Sequence, residues 1–156
     1  MPFSPQDRPS AGRFEGRTHL LAARVYYEDT DFSGLVYHGA YVRFLERGRS
    51  DFLREIGVAH ADLLAQDPPT AYALLRLSIA FRAAARIDDA LLIETRYERI
   101  CGPRLEIKQR ILRGAVEVAT AEVEACCISL AGRPKKPPSL LLERLGPLLA
   151  TAASDF

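Results

Sequence analysis

Residues 26–49 read Tyr-Tyr-Glu-Asp-Thr-Asp-Phe-Ser-Gly-Leu-Val-Tyr-His-Gly-Ala-Tyr-Val-Arg-Phe-Leu-Glu-Arg-Gly-Arg. Residues 29–34 contain the Asp, Thr, Ser and Gly that are typical of turns. From residue 39 to residue 56, apolar side chains recur at i, i+3, i+4 and i+7, which predicts an amphipathic helix. This order brings a carboxylate, Asp31, and an imidazole, His38, near the positive end of a helix dipole. A developing oxyanion can be stabilised there.

Alternating apolar and polar residues predict β-strands on both sides of this helix. Residues 18–27 alternate before it, and residues 75–81, 91–97, 105–111 and 116–130 alternate after it. Short connections between consecutive strands imply an antiparallel meander. The helix must bury its apolar face against these strands, so the predicted fold class is α+β. The expected arrangement is a strongly twisted sheet wrapped around one long central helix.

The 156 residues are expected to form one folded domain with a segment at each end. Residues 1–16 contain several prolines but no apolar signal-peptide core, and they are expected to be a flexible tail. Residues 17–131 are the expected domain, and residues 132–156 a Pro-rich linker with a short helix capped by Ser139. The leucines of that helix have two interpretations: packing on the sheet or a neighbouring subunit, or contact with a membrane or a partner.

Composition argues against several classes of protein. Lys and Arg total 21 against 20 Asp and Glu, so no basic field favours nucleic acid. The apolar runs are too short to span a bilayer. Cys101, Cys126 and Cys127 have no paired spacing, which favours free thiols in a reducing cytosol. The three histidines are too scattered to suggest a metal site. We therefore expect a cytoplasmic protein without a metal or cofactor.

A longer motif carries a resemblance to a known family. The segment Arg24-Val-Tyr-Tyr-Glu-Asp-Thr-Asp-x-x-Gly-x-Val-Tyr-His-x-x-Tyr41, followed by Phe44-Leu-Glu-Arg-x-Arg49, resembles the hotdog-fold thioesterases, in the branch of 4-hydroxybenzoyl-CoA thioesterase. Within that branch the chain is most similar to the acyl-CoA thioesterase associated with the Tol-Pal cell-envelope system. The resemblance covers about residues 18–142. It implies a five- or six-stranded sheet around one helix, and a homodimer or tetramer with active sites at subunit interfaces.

The resemblance also implies roles for individual residues. Asp31 matches the family's catalytic carboxylate, which acts as general base or as nucleophile, and His38 matches a second active-site residue at the start of the central helix. Tyr27 matches a tyrosine near the site. Backbone N–H groups around His38 and Gly39 can polarise a thioester carbonyl. The implied reaction is hydrolysis of an acyl-CoA, or an acyl carrier protein thioester, to a carboxylic acid and a thiol.

Residues near the motif suggest further expectations. Phe32 stands where the family commonly has a small residue or proline. With Tyr41 and Phe44 it is expected to crowd the acyl group, and by desolvation to raise the pKa of Asp31 slightly. Asp29 is expected to order the loop. Glu46 is a minor catalytic candidate on a helix face that is otherwise expected to be ion-paired.

Two alternative functions remain open. A hotdog hydratase or dehydratase acting on enoyl or 3-hydroxyacyl thioesters usually pairs an aspartate with a histidine five residues later, with Asn-Pro between them. Here Asp31 and His38 are seven residues apart without Asn-Pro, which argues against that function. The other alternative is a protein that binds acyl thioesters or envelope partners without catalysis, but such a protein would not need both residues.

Overall fold

The computed structural model describes residues 3–150, which form a six-stranded antiparallel sheet and three α-helices. The strands are β1 (Arg13–Glu15), β2 (Thr18–Arg24), β3 (Ala71–Phe81), β4 (Ala90–Cys101), β5 (Arg104–Arg113) and β6 (Val116–Ile128). The helices are α1 (His38–Glu55), α2 (His60–Leu64) and α3 (Ser139–Leu145). The antiparallel sheet and the long helix after β2 agree with the sequence prediction.

The strand order is β1-β2-β4-β5-β6-β3, which corrects the predicted meander. Strands β4, β5 and β6 do follow one another, but β3 pairs with β6 at the far edge and not with β4. The connection through residues 82–89 makes this possible. It can extend to about 26 Å, at ~3.3 Å per residue, whereas three strand spacings amount to only about 14 Å. Strand β3 is therefore an edge strand.

Helix α1 packs on one face of the sheet through the side chains that the periodicity predicts. Tyr41, Phe44 and Leu45 are buried in a core cluster with Ile93 of β4 and Ile111 of β5. The helix approaches the sheet closely at Gly48. A Cβ atom built there would lie 2.7 Å from both Ile93 Cγ2 and Thr95 Oγ1. Only glycine fits this contact without displacing buried side chains.

A buried glutamine fixes the same contact by hydrogen bonds. Gln109 Nε2 of β5 donates to the Leu45 carbonyl oxygen of α1 at 2.8 Å and to Thr95 Oγ1 of β4 at 2.9 Å. Arg49 NH1 of α1 donates to Gln109 Oε1 at 2.9 Å. Helix α1 and two neighbouring strands therefore share one amide group, which ties the helix to the sheet.

The N-terminal segment contributes a strand. Strand β1 lies inside residues 1–16, the predicted tail, and pairs with β2. Asp51 of α1 holds this segment: its Oδ2 accepts the Gly12 N–H at 2.7 Å and lies 2.9 Å from Nε2 of the buried His19. The predicted domain boundaries stay predictions, and residues 1, 2 and 151–156 of the predicted end segments lie outside the described residues.

The C-terminal helix packs on the core. Leu141 and Leu145 of α3 are buried in a cluster with Phe52 of α1 and Tyr97 of β4, whereas Leu142 is exposed. This favours packing over membrane contact as the role of these leucines.

In residues 3–150, no helix is both long and apolar enough to cross a membrane. The three cysteines carry free thiols, and burial raises the pKa of Cys127 to about 12.

We predict that Gly48→Ala destabilises the protein by about 1–3 kcal/mol, because the added methyl overpacks the helix–sheet contact. Gly146→Ala is the matched control: its backbone φ is −47°, and a Cβ there meets no atom within 4 Å. Denaturant unfolding measures both variants. Equal stabilities would contradict the close packing at Gly48.

Candidate active site

The loop between β2 and α1 folds back on itself and carries Asp31. Thr30 and Val36 form an isolated β-bridge, and the Asp31 N–H donates to the Leu35 carbonyl oxygen at 3.1 Å. The Gly34 N–H donates to the Asp31 carbonyl oxygen at 3.0 Å. Gly34 has a φ of +77°, a conformation that glycine adopts without steric cost. Asp31 thus lies at a tight turn held by its own backbone.

Asp29 orders this loop, as predicted. Its side chain is buried, and Oδ2 accepts the Tyr26 N–H at 2.9 Å. Oδ1 lies 3.7 Å from a guanidinium nitrogen of Arg43 on α1. The Asp29 carbonyl oxygen accepts the Tyr37 N–H at 2.9 Å. These contacts connect the start of the loop to the start of the helix.

The Asp31 carboxylate is exposed and bound by one neighbour. Its Oδ1 accepts hydrogen bonds from the Ser33 N–H at 2.8 Å and from Ser33 Oγ at 2.5 Å. The Ser33 hydroxyl and N–H lower the pKa of Asp31, and the charge of nearby His38 lowers it further. The expectation that Phe32 raises this pKa was wrong, because the Phe32 side chain is fully exposed and Ser33 dominates. Asp31 is therefore ionised at neutral pH.

Helix α1 begins at His38 with N–H groups directed out of the first turn. The N–H groups of His38 and Gly39 precede the fourth helical residue, so neither has an intrahelical acceptor. The Tyr37 ring lies 4.7 Å from the His38 ring, and its hydroxyl is 2.2 Å from where a Cβ on Gly39 would be. A side chain at residue 39 would therefore displace the Tyr37 ring. Sequence reasoning missed Tyr37, although it belongs to the quoted motif.

Five of the six predicted site residues, all but Gly39, line two grooves on the described chain. Tyr27, Asp31 and Phe32 line one groove together with Ile87. His38 and Tyr41 line a second groove with Phe81. The Tyr41 ring is buried 5.6 Å from the Phe81 ring, and its hydroxyl bonds the backbone of Ala85. The two grooves share no lining residue, and the short segment that links Asp31 to His38 separates them.

A separate cavity lies further along α1, between the second half of the helix and strands β3–β6. We call it the α1–β3 pocket, and its volume is about 190 Å³. Ser50 Oγ bonds a carboxylate oxygen of Glu46 and lies 2.9 Å from Nε2 of His60, and all three residues line the pocket. The prediction of an ion-paired helix face was wrong for Glu46, which is bonded to Ser50. Within residues 3–150 it has no ion pair within 4 Å.

The α1–β3 pocket also has buried polar groups of its own. Tyr72 of β3 lines it, and the Tyr72 hydroxyl is buried without a hydrogen-bond partner in the described part of the chain. Its ring meets the His60 ring edge-on at 5.5 Å. Sequence reasoning did not select Tyr72 or His60, because neither lies in the motif. No group of three or more His, Cys, Asp or Glu that could hold a metal occurs within residues 3–150.

Comparisons with known proteins agree on one family. The sequence profile of the Thioesterase-like superfamily matches residues 25–145, which include both grooves and the α1–β3 pocket. The chain is 36% identical over 107 residues to the acyl-CoA thioesterase YbgC of Haemophilus influenzae, covering 69% of this chain and 78% of that protein. It is 36% identical over 121 residues to the acyl-CoA thioester hydrolase YbgC of Escherichia coli O6:H1, covering 76% of this chain and 89% of that protein.

Solved structures give the same result. A Bartonella henselae protein described as a probable thioesterase is 41% identical and superposes with a TM-score of 0.76. The match covers 78% of this chain and 99% of that one.

We predict that Ser33→Ala raises the pKa of Asp31 toward the ordinary value of 3.8, because the strongest hydrogen bond to the carboxylate is lost. Ser33→Thr keeps the hydroxyl and should keep the pKa low. Carboxyl ¹³C NMR titration of Asp31 measures both variants. A wild-type pKa at or above 3.8 would contradict the geometry described here.

Proposed function

This chain belongs to the Thioesterase-like superfamily, and from that membership we propose that it hydrolyses acyl-CoA thioesters to a carboxylic acid and free CoA thiol. The observation that carries the proposal is the ionised, exposed Asp31 carboxylate in the loop that leads into the N-terminus of α1. The YbgC relatives, described as acyl-CoA thioesterases, support the same reaction.

Two routes are open to Asp31. As a general base it takes a proton from water, whose oxygen attacks the thioester carbon. As a nucleophile, a carboxylate oxygen attacks that carbon and forms a mixed anhydride, which water then hydrolyses. In both routes the carbonyl oxygen becomes an oxyanion and the C–S bond breaks to release the thiolate. Asp31 must be ionised in each route, and the Ser33 hydrogen bonds favour that form.

The first turn of α1 is proposed to hold the oxyanion. The N–H groups of His38 and Gly39 and the positive end of the helix dipole are available for it. One such donor lowers the barrier by about 2.7–4 kcal/mol in comparable enzymes. The His38 side chain is proposed to protonate the departing thiolate or to orient water. Tyr27, Phe32 and Tyr41 line the adjoining grooves and are proposed to contact the substrate.

A homodimer is part of the proposal, because β3 is an unprotected edge. It spans Ala71–Phe81, and among the described residues it pairs only with β6, which leaves the other side of the strand open. Leu74 is 50% exposed and Leu75 49% exposed, and Phe81 at the strand end is 54% exposed. Long apolar edges of this kind favour pairing with a second copy. Pairing there would enclose the two exposed grooves between subunits.

The resemblance extends the proposal to finer points. We place the chain in the 4-hydroxybenzoyl-CoA thioesterase branch, near the Tol-Pal-associated enzymes, on the motif that ends at Arg49. In this interpretation α1 is the central helix of a hotdog fold, and residues 17–131 form the domain. Acyl carrier protein thioesters as substrates, a tetramer, a cytoplasmic location and contact with envelope partners stay predictions.

We predict that Asp31→Asn lowers kcat at least 100-fold, because an amide cannot act as base or as nucleophile. Asp67→Asn, at another exposed aspartate, is the control and should retain activity. A thiol-release assay on acyl-CoAs of two to sixteen carbons measures turnover, and circular dichroism checks the fold. An Asp31→Asn variant with most of its kcat would overturn the proposed mechanism.

We predict that the wild-type protein sediments as a dimer or a higher even-numbered oligomer at micromolar concentration. Leu75→Lys should weaken the assembly, because it places a charge on the β3 edge. Leu142→Lys, on the exposed side of α3, is the matched control and should leave the assembly intact. Analytical ultracentrifugation compares them. A fully active wild-type monomer would rule out an active site shared between subunits.

A further inference from the structure

The α1–β3 pocket and the groove lined by His38 and Tyr41 lie at opposite ends of one apolar seam, the region where α1 faces β3. Helix α1 runs antiparallel to β3, since Tyr41 contacts Phe81 at one end and His60, just after α1, contacts Tyr72 at the other. Between these ends, Leu77 and Ile79 of β3 are half-buried and pack against the core cluster of α1.

We propose that this seam is the acyl channel and that the α1–β3 pocket binds a hydroxyl group at the far end of a medium-length acyl chain. The inference rests on the proposed function, and it adds the class of substrate: an acyl thioester of about ten carbons with a terminal hydroxyl.

The length follows from the helix. Glu46 lies eight residues after His38 on α1, a separation of about 12 Å at ~1.5 Å per residue. An extended chain of single bonds near 1.5 Å advances about 1.25 Å per bond, so a chain of about ten carbons spans that distance. The pocket volume of about 190 Å³ is below the ~300 Å³ of the smallest typical ligand sites. It can therefore hold the end of a chain and not the CoA nucleotide.

The preference for a hydroxyl follows from the polar groups. The buried Tyr72 hydroxyl lacks a partner in residues 3–150, and a ligand hydroxyl can supply one. Burial raises the pKa of Tyr72, so the phenol stays neutral and can both donate and accept. Ser50, already bonded to Glu46 and His60, offers a second polar contact beside it.

Charge in the pocket disfavours an anionic chain end. A terminal carboxylate would approach the Glu46 carboxylate, which lines the pocket. Burial lowers the pKa of Arg49, but a guanidinium remains protonated in proteins. Arg49 is also bonded to Gln109, so it is not free to turn toward a ligand anion. Leu53, Leu105 and Ile107 complete the walls with apolar surface.

The test uses the full chain and three ten-carbon substrates: decanoyl-CoA, 10-hydroxydecanoyl-CoA and the monothioester of decanedioic acid with CoA. We expect kcat/KM for the hydroxylated substrate to exceed that for decanoyl-CoA about tenfold, the effect of one neutral hydrogen bond. The decanedioyl substrate should be the poorest of the three. In Tyr72→Phe the ratio of kcat/KM for 10-hydroxydecanoyl-CoA to kcat/KM for decanoyl-CoA should fall to about one.

Tyr72→Phe should not unfold the protein, because the hydroxyl it removes has no partner in the described part of the chain. Tyr26→Phe is the control, since Tyr26 is exposed and lines neither the grooves nor the pocket. Equal kcat/KM for decanoyl-CoA and 10-hydroxydecanoyl-CoA would overturn the inference while leaving the thioesterase proposal intact. So would a Tyr72→Phe variant that changes the oligomeric state but not the selectivity.

Calorimetry with non-hydrolysable ketone analogues of the same acyl-CoAs separates binding from turnover. A tenfold preference for the hydroxylated analogue, lost in Tyr72→Phe, supports the inference even if no acyl-CoA is hydrolysed. That result would leave only the proposed reaction in error. Binding of neither analogue, together with no hydrolysis, would overturn both.

Discussion

The contact between α1 and the sheet at Gly48 sets the position of every functional group on the helix. The Gln109 amide uses both of its ends there, donating to the helix and to β4 and accepting from Arg49. A buried amide with its donors and its acceptor paired fixes the rotation and the height of the helix together. The helix start at His38 is then held over the loop, and Glu46 is held over the α1–β3 pocket. Apolar packing alone would allow the helix to slide.

Two aspartates, two residues apart, have different environments and therefore different uses. Asp29 is buried, accepts a hydrogen bond from the Tyr26 N–H and lies within ion-pair distance of the Arg43 guanidinium, so its carboxylate stabilises the loop. Asp31 is exposed, and within residues 3–150 its carboxylate is bonded only to Ser33, through one oxygen. The buried residue holds the turn in place, and the turn presents the carboxylate that we propose to be reactive. Replacing either one should therefore harm activity by a different route.

Local patterns in the sequence predict the elements well and their arrangement less well. The periodicity from residue 39 to residue 56 identifies the buried face of α1, because that face depends only on neighbours along the helix. The position of β3 beside β6 depends on how the connection through residues 82–89 crosses the sheet. The alternation of apolar and polar residues along a strand does not indicate the path of that connection. The predicted direction of the Asp31 pKa shift was also wrong. Phe32 is the bulkier neighbour, but the hydrogen bonds from Ser33 lower the pKa, and the sequence does not show where the Ser33 side chain points. Tyr72 and His60 meet only after folding, so no spacing could have predicted the α1–β3 pocket.

The edge position of β3 links assembly to the proposed chemistry. The apolar seam runs along the strand that is open for pairing, so a second copy bound there would cover the seam as well as the edge. In a monomer, an acyl chain bound along Leu77 and Ile79 would remain partly in contact with water. The free energy gained by burying the chain would then be smaller, in proportion to the apolar area of the chain that stays exposed. Closing the seam by dimerisation would also exclude water from the Asp31 loop, where a lower dielectric strengthens the interaction between the helix N-terminus and an oxyanion. On this argument, the exposed apolar residues of β3 form the surface that the proposed second subunit would cover.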